Sequence, residues 1–212
     1  MKRKVVALFC AVFVLGLSEG YAQSNRVGFY VQPQGNFLGG IKVWKLDPSL
    51  KEKGLVIGEG IYYERCGNMS SFTIGLGAMQ LKNTYTTDSL GTSYLRIGEG
   101  TNQLSFLTIL LAGNTNFYDG DQFKVGMLYG FKFGFLLNEK INGFPKDFST
   151  RDSYERLAAM FDLGVSFTYL FTDYIGMSVT PTASFFGRST VEEPWLFWGF
   201  GGQVRFFYAF GN

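Results

Sequence analysis

Residues 161–171 read FDLGVSFTYLF and alternate strictly between large apolar side chains and small or polar ones. A period of two predicts a β-strand with two different faces, because successive side chains point to opposite sides. The turn Thr172-Asp173 follows, and residues 175–185, IGMSVTPTASF, repeat the alternation with the same polarity. Together the two segments predict an antiparallel hairpin.

Residues 122–136 and 196–210 show the same alternation. Each has one face of large apolar side chains, and over the four segments the opposite face is mainly Gly, Ser and Thr with scattered charges. A sheet with one face in water would carry charged residues along that face. Small residues instead suit the crowded interior of a narrow closed barrel, and long Phe-rich faces are typical of a lipid-facing band.

Eight strands account for the chain. The first four are expected at 26–36, 54–65, 71–83 and 103–117, and the last four at 122–136, 158–171, 174–187 and 196–210. The connections at 37–53, 84–102, 137–157 and 188–195 are long, and those near 66–70, 118–121 and 172–173 are short. Long outer loops and short periplasmic turns are typical of porin-like outer-membrane barrels of Gram-negative bacteria. We therefore predict an all-β chain that forms a transmembrane antiparallel up-and-down β-barrel, most simply of eight strands.

Two structural alternatives follow from the same residues. Ten strands form if residues 37–47 pair as an extra hairpin. A soluble exported lipocalin-like barrel would place the large side chains inside and bind a hydrophobic ligand. Seven bulky residues on one strand face, repeated around a small barrel, would overfill that interior. The membrane barrel is the preferred interpretation.

The N-terminal residues predict export. Lys2, Arg3 and Lys4 precede an apolar stretch at 5–17, and Gly20-Tyr21-Ala22 offers the small residues that a signal peptidase reads. The stretch is shorter than the roughly 20 residues of a membrane-spanning helix. We expect a cleavable signal peptide at 1–22 and a barrel domain at 23–212, with Cys66 as an incidental thiol in a turn.

Four charged side chains are expected to point into the barrel: Lys124, Lys132, Asp162 and Arg205. Unpaired charges there would be costly, so we expect them to pair, with Lys132 and Asp162 on neighbouring strands as the first candidates. Strand two alternates ambiguously and leaves Glu59 and Glu64 without a predicted face. A glutamate side chain that faced lipid would be energetically unfavourable.

Aromatic residues near strand ends are expected to anchor the barrel at the membrane boundary. They are Tyr129, Tyr169, Tyr174, Trp195 and Trp198. The last strand resembles the insertion signal of bacterial outer-membrane barrels in its alternating residues Val204, Phe206, Tyr208 and Phe210. That resemblance implies recognition by the barrel-insertion machinery.

Residues 54–64 and 106–112 look like strands two and four of the PorT-like outer-membrane β-barrel family of Bacteroidota. The resemblance implies an eight-stranded outer-membrane barrel, and one namesake of the family is linked to protein secretion. It supplies no catalytic residues.

Composition narrows the function. The chain has no His, which removes catalysis and metal binding by imidazole, and its 19 Lys and Arg nearly balance 17 Asp and Glu, which disfavours a nucleic-acid partner. We expect no enzyme, cofactor or metal. The expected role is structural or accessory: a barrel in outer-membrane lipid that presents its outer loops, with loop 137–157 as the candidate contact for a protein partner. A narrow channel is the alternative.

Overall fold

A computed structural model describes residues 24–38, 41–42, 45–46, 50–87, 98–141, 144–145, 157–188 and 195–211. Eight long strands lie within these ranges: β1 (Ser24–Leu38), β2 (Leu50–Cys66), β3 (Ser70–Thr87), β4 (Gly98–Asp119), β5 (Phe123–Ile141), β6 (Leu157–Leu170), β7 (Ile175–Arg188) and β8 (Trp195–Phe210). The predicted signal peptide and most of the predicted outer loops lie outside the described residues.

The strands form one closed barrel. Each strand pairs antiparallel with the next, and β1 also pairs with β8. The register can be followed once around the wall, from Arg26 through Glu64, Thr73, Ala112, Gly130, Asp162, Ser184 and Gly199 to Asn36. The path returns to β1 ten residues further along (36 − 26), which is the shear of the barrel. With eight strands this shear gives a strand tilt of about 40°.

The two faces of the wall differ as the alternation predicts. Lumen-facing side chains are small or polar along much of the wall, as on β7, where Ser178, Thr180, Thr182 and Ser184 are buried. Large apolar side chains cover the outside on every strand, among them Phe29, Ile61, Leu76, Ile109, Phe133, Phe167, Phe185 and Phe206. This arrangement is the reverse of a lipocalin-like barrel, so that alternative is wrong. A closed barrel with an apolar exterior is the form in which β-strands cross lipid, and it confirms the predicted fold and the location in the outer membrane.

Several strands are longer at their loop ends than the sequence predicts. The predicted strand 103–117 becomes Gly98–Asp119, and β2 and β3 pair as far as Leu50 and Thr87. Polar residues such as Thr84 and Thr101 occupy these extensions, so a search for apolar alternation ends too early. Cys66 is likewise a strand residue: it ends β2 as a buried free thiol, not in the predicted turn.

Within the described residues, the barrel wall consists of eight strands. Residues 41–42 and 45–46 do pair with each other, and 41–42 also pairs with the start of β8. Each of these pieces is only two residues long, and the ladder between β1 and β8 closes the barrel independently of them. In the described ranges, no helix is long and apolar enough to cross a membrane.

Candidate functional site in the barrel interior

The strongest interior contact joins β5 to β6. Lys132 Nζ lies 2.6 Å from Asp162 Oδ2, and the two side chains are 1% and 2% exposed. Both lie on lumen-facing positions because the alternation of their strands is unbroken there, with Gly130 and Gly134 on either side of Lys132. Burial of either charge alone would be costly, so the pair holds together in the interior as one neutral unit.

Lys132 also crosses the lumen. Its Nζ donates a hydrogen bond to Gln32 Oε1 on β1, and β1 stands four strands from β5 in an eight-stranded wall, directly opposite. The ammonium group additionally lies 5.7 Å from the centre of the Tyr30 ring. The aliphatic chain of Lys132 therefore braces two opposite sides of the barrel at mid-height.

A second branch of the network runs along β8. Gln203 Nε2 donates to Gln32 Oε1 at 3.0 Å, and Arg205 Nε donates to Gln203 Oε1 at 2.6 Å. Arg205 Nη1 lies 3.4 Å from Thr73 Oγ1 on β3, and its guanidinium stands 5.2 Å from the centre of the Tyr62 ring. Arg205 thus contacts the amide of Gln203 and the face of the Tyr62 ring.

The carboxylate of Asp162 anchors the third branch. Ser184 Oγ on β7 donates to Asp162 Oδ1, and Gln34 Nε2 donates to Ser184 Oγ. Gln34 Nε2 also lies 3.4 Å from Thr182 Oγ1. We call the connected residues Gln32, Gln34, Thr73, Lys132, Asp162, Thr182, Ser184, Gln203 and Arg205 the interior network. It ties together six of the eight strands.

Apolar clusters fill the lumen toward both ends of the strands. The loop-side cluster comprises Val56, Met79, Leu81, Leu104, Phe106, Leu136, Ala158, Met160 and Phe186. A second cluster, nearer the periplasmic end, contains Tyr30, Tyr62, Leu110, Ala112, Leu128 and Phe207. Two small polar cavities of about 10 and 30 Å³ lie toward the periplasmic end. Such volumes suit single water molecules, not a continuous water column or a drug-sized ligand.

Lys124 does not join the interior network that the sequence analysis assigned to it. Its Nζ lies 2.6 Å from Asp119 Oδ1, across the short turn between β4 and β5. Lys124 is the second residue of β5, so its flexible chain reaches the turn more easily than mid-height. The predicted inward face agrees with its place in the lining of one of the two cavities, but the predicted pairing is wrong, because alternation gives the face of a residue and not its depth.

Strand two alternates regularly in the structure and places both glutamates. Glu64 is buried in the lumen, where its carboxylate accepts a hydrogen bond from Ser71 Oγ and lies 3.5 Å from Arg26 Nη1. Arg26 also stacks 4.4 Å above the Phe207 ring. Glu59 lies on the outer face. The ion pair between Arg26 and Glu64 was not predicted from the sequence.

The three glutamines of the interior network were also missed. Gln32 and Gln34 alternate with Val31 and Pro33 in β1, and this polar face of period two was the available signal. Gln203 is two residues from Arg205 on the lumen side of β8. These uncharged amides connect the charged groups to one another, although no charge marks them in the sequence.

The predicted aromatic anchors are mostly exposed on the outer face. Tyr169, Tyr174 and Trp198 lie there, and the Tyr174 ring stacks on Tyr208 with 6.2 Å between centres. Trp195 begins β8, but its side chain is outside the described part of the chain.

Tyr129 packs against the neighbouring strand β4. It is the seventh residue of β5, its ring covers Gly113 on β4, and its hydroxyl lies 3.5 Å from Thr115 Oγ1. A side chain at Gly113 would collide with that ring. Tyr129 therefore packs against β4, and its role as an interfacial anchor stays a prediction.

The residues of the expected insertion signal share the outer face of β8. Phe206, Tyr208 and Phe210 are exposed, Val204 is half-buried, and the Phe206 ring stacks on Phe29 of β1 with 5.2 Å between centres. The alternating side chains of the last strand thus border the seam at which the barrel closes.

The chemistry available inside the barrel is electrostatic and structural. The interior network places an ammonium, a guanidinium, a carboxylate and several amides within hydrogen-bonding reach of one another. Among the described residues, no group of three or more His, Cys, Asp or Glu side chains could hold a metal ion.

No protein family and no curated protein matches the sequence. Solved structures that the chain is similar to include the outer membrane protein OprG from Pseudomonas aeruginosa, with 11% identity, 92% of this chain and 99% of that chain covered, and a TM-score of 0.48. The outer membrane protease OmpT from Escherichia coli is 9% identical over 91% of this chain and 100% of its own, with a TM-score of 0.43. Ail, the attachment invasion locus protein of Yersinia pestis, is 14% identical over 88% of this chain and 97% of its own, with a TM-score of 0.35. At these scores the assignment of the fold rests on the strand pairing described above. The chain is an outer-membrane β-barrel protein.

Proposed function

We propose that the protein is a non-conducting, non-enzymatic scaffold, a rigid outer-membrane barrel that presents its outer loops to a partner. One observation carries the proposal: the interior network and the two apolar clusters fill the lumen over most of its height. The side chains of Lys132 and Gln32 together span the distance between opposite walls. A wall braced from within supports a structural role better than a pore.

The finer assignment stays a prediction from residues. Segments 54–64 and 106–112 support membership of the PorT-like family, and the mixed charges of loop 137–157 support contact with a protein partner, which the resemblance would place in a secretion or surface complex. Recognition of β8 by the barrel-insertion machinery belongs to the same set of proposals.

Conductance tests the closed lumen. The purified full-length barrel is inserted into planar lipid bilayers at several voltages, with a known porin as the control for insertion. The proposal expects no discrete conductance steps. Steps that disappear when Lys132 or Arg205 is neutralised would overturn it in favour of a narrow selective channel.

The loop contact needs a separate experiment in cells. Residues 146–155 are replaced by a Gly-Ser linker of equal length, and barrel assembly is followed by gel mobility before and after boiling. We expect normal assembly together with loss of any complex seen by native electrophoresis of solubilised membranes. An unchanged complex would show that loop 137–157 is not the contact.

A further inference from the structure

The smaller of the two lumen cavities, of about 10 Å³, lies beside Arg205. Arg26, Tyr62 and Thr180 also line it. Each of these four residues has a buried polar atom without a hydrogen-bond partner among the described residues: Arg26 Nε, Tyr62 Oη, Thr180 Oγ1 and Arg205 Nη2. Tyr62, Thr180 and Arg205 are 4%, 1% and 4% exposed, so bulk water does not satisfy them. Four such groups around one cavity indicate a bound species that pairs with them.

All four groups can donate a hydrogen bond to one ligand. The two guanidinium nitrogens are donors only, whereas the hydroxyl groups of Tyr62 and Thr180 donate or accept. A cation is excluded, because it would meet two guanidinium groups. A water molecule has two acceptor lone pairs, like a hydroxyl group, and cannot accept from all four. A ligand that only accepts hydrogen bonds suits the cavity best.

The charges of the lumen point to an anion. Lys132 Nζ lies 2.6 Å from Asp162 Oδ2, and Arg26 Nη1 lies 3.5 Å from Glu64 Oε2, so each of these two cations has a carboxylate partner. In the part of the chain that the structure describes, no carboxylate forms a salt bridge with Arg205. A buried guanidinium without a counter-charge is costly, and a bound anion removes that cost.

The size of the cavity limits the anion to a single atom. A volume of about 10 Å³ holds about one water-sized body. A chloride ion is only slightly larger than a water molecule, whereas sulfate and phosphate have several heavy atoms. The cavity of about 30 Å³ shares Arg26, Asn114 and Thr168 with the smaller one, and its lining extends to Ser24 and Lys124 near the periplasmic strand ends. Two cationic side chains thus line the approach from that side.

We propose that the cavity beside Arg205 binds one chloride ion, held by the Arg205 guanidinium and the hydroxyl groups of Tyr62 and Thr180, with Arg26 Nε as a further donor. Glu64 also lines the cavity, but its carboxylate is already paired with Arg26. The interior network and the loop-side cluster lie between this site and the outer loops. The site is therefore a dead end, and it depends neither on conductance nor on a partner of the loops.

The line width of the chloride NMR signal tests the binding. The folded full-length barrel in detergent is titrated with sodium chloride, and we expect broadening that bromide reverses and that sulfate at equal ionic strength leaves in place. Arg205→Gln should weaken binding by about tenfold or more, because it removes the charge. Tyr62→Phe should weaken it by about fivefold, because it removes one hydrogen bond.

Matched variants on the outer face are the controls. Arg65→Gln removes an exposed cation and Tyr169→Phe an exposed hydroxyl group, and both should leave the binding unchanged. Gel mobility with and without boiling checks that every variant forms the barrel. Broadening no greater than in detergent alone, or the same in Arg205→Gln as in Arg65→Gln, would overturn the proposal.

Anomalous diffraction from bromide locates the ion independently of any variant. Crystals of the wild-type barrel grown in sodium bromide should show an anomalous peak bounded by Arg205, Tyr62 and Thr180. Peaks only on the outer surface would mean an adventitious ion only and would contradict the proposal. An ordered water molecule without anomalous signal in the cavity would replace the ion with water.

Discussion

The interior network and the loop-side cluster fill the same lumen by different means. Phe106 and Phe186 of the cluster meet edge to face at 6.0 Å and depend only on shape and burial. Lys132 and Asp162 of the network depend on complementary charge and on donors that reach specific acceptors. An apolar layer loses stability gradually as volume is removed, whereas a polar layer fails when one member is left unpaired. The comparison predicts a ranking of variants by the free energy of unfolding.

Loss of the interior carboxylate should have the largest effect. Asp162→Ala leaves the Lys132 ammonium buried without its counter-charge and frees Ser184, and we expect a cost of about 4 kcal/mol. Urea unfolding of the protein in phospholipid vesicles, followed by tryptophan fluorescence, measures it.

The double variant Lys132→Met with Asp162→Leu is the control for that prediction. Removal of both charges leaves no unpaired ion, so stability should recover most of the loss. A double variant as unstable as Asp162→Ala would show that volume, not charge, governs the interior network.

Truncation in the loop-side cluster should have the next largest effect. Leu104→Ala removes a buried side chain of that cluster, and we expect a loss of about 3 kcal/mol by the same unfolding measurement. Leu104→Met preserves volume and should cost less than about 1.5 kcal/mol. If both variants behave alike, the cluster is not tightly packed.

A single amide of the interior network should matter less than its charges. Gln34→Ala removes the hydrogen bonds to Ser184 and Thr182 while Asp162 keeps Lys132, and we expect a loss of about 1 kcal/mol. A loss as large as that of Asp162→Ala would mean that the network acts as one cooperative unit.

The outer aromatic contacts should have the smallest effect. Tyr174→Leu removes the stacked contact with Tyr208 at the periplasmic boundary, and we expect a loss of about 0.5–1 kcal/mol. Tyr169→Leu on the neighbouring strand end serves as the comparison. A change above about 2 kcal/mol would assign these rings a larger role than anchoring.

The strands of the barrel wall were predicted from the sequence more completely than the contacts between side chains in the lumen. Alternation identified eight strands and, except on strand two, their faces, because a shift of one residue moves a side chain from lipid to lumen. It also paired Lys132 with Asp162, since neighbouring strands bring opposite charges together. Alternation does not give the depth of a residue within the lumen, and that is why the predicted pairing of Lys124 was wrong.

The interior network illustrates the same limit. The hydrogen bond from Lys132 to Gln32 joins residues one hundred positions apart, on strands that are not neighbours. No local pattern carries that information until the barrel is known to close at eight strands with a shear of ten. The aromatic contact between Phe106 and Phe186 across the loop-side cluster is non-local in the same way.

Site-directed spin labelling along β7 tests the central claim, a lipid-facing wall around a filled lumen. In the Cys66→Ser background, labels at Val179 and Phe185 should be reached by oxygen dissolved in the lipid. Labels at Thr180 and Ser184 should be reached neither by oxygen nor by a water-soluble nickel chelate. Access of the chelate to Thr180 and Ser184 would contradict the account and indicate a water-filled pore.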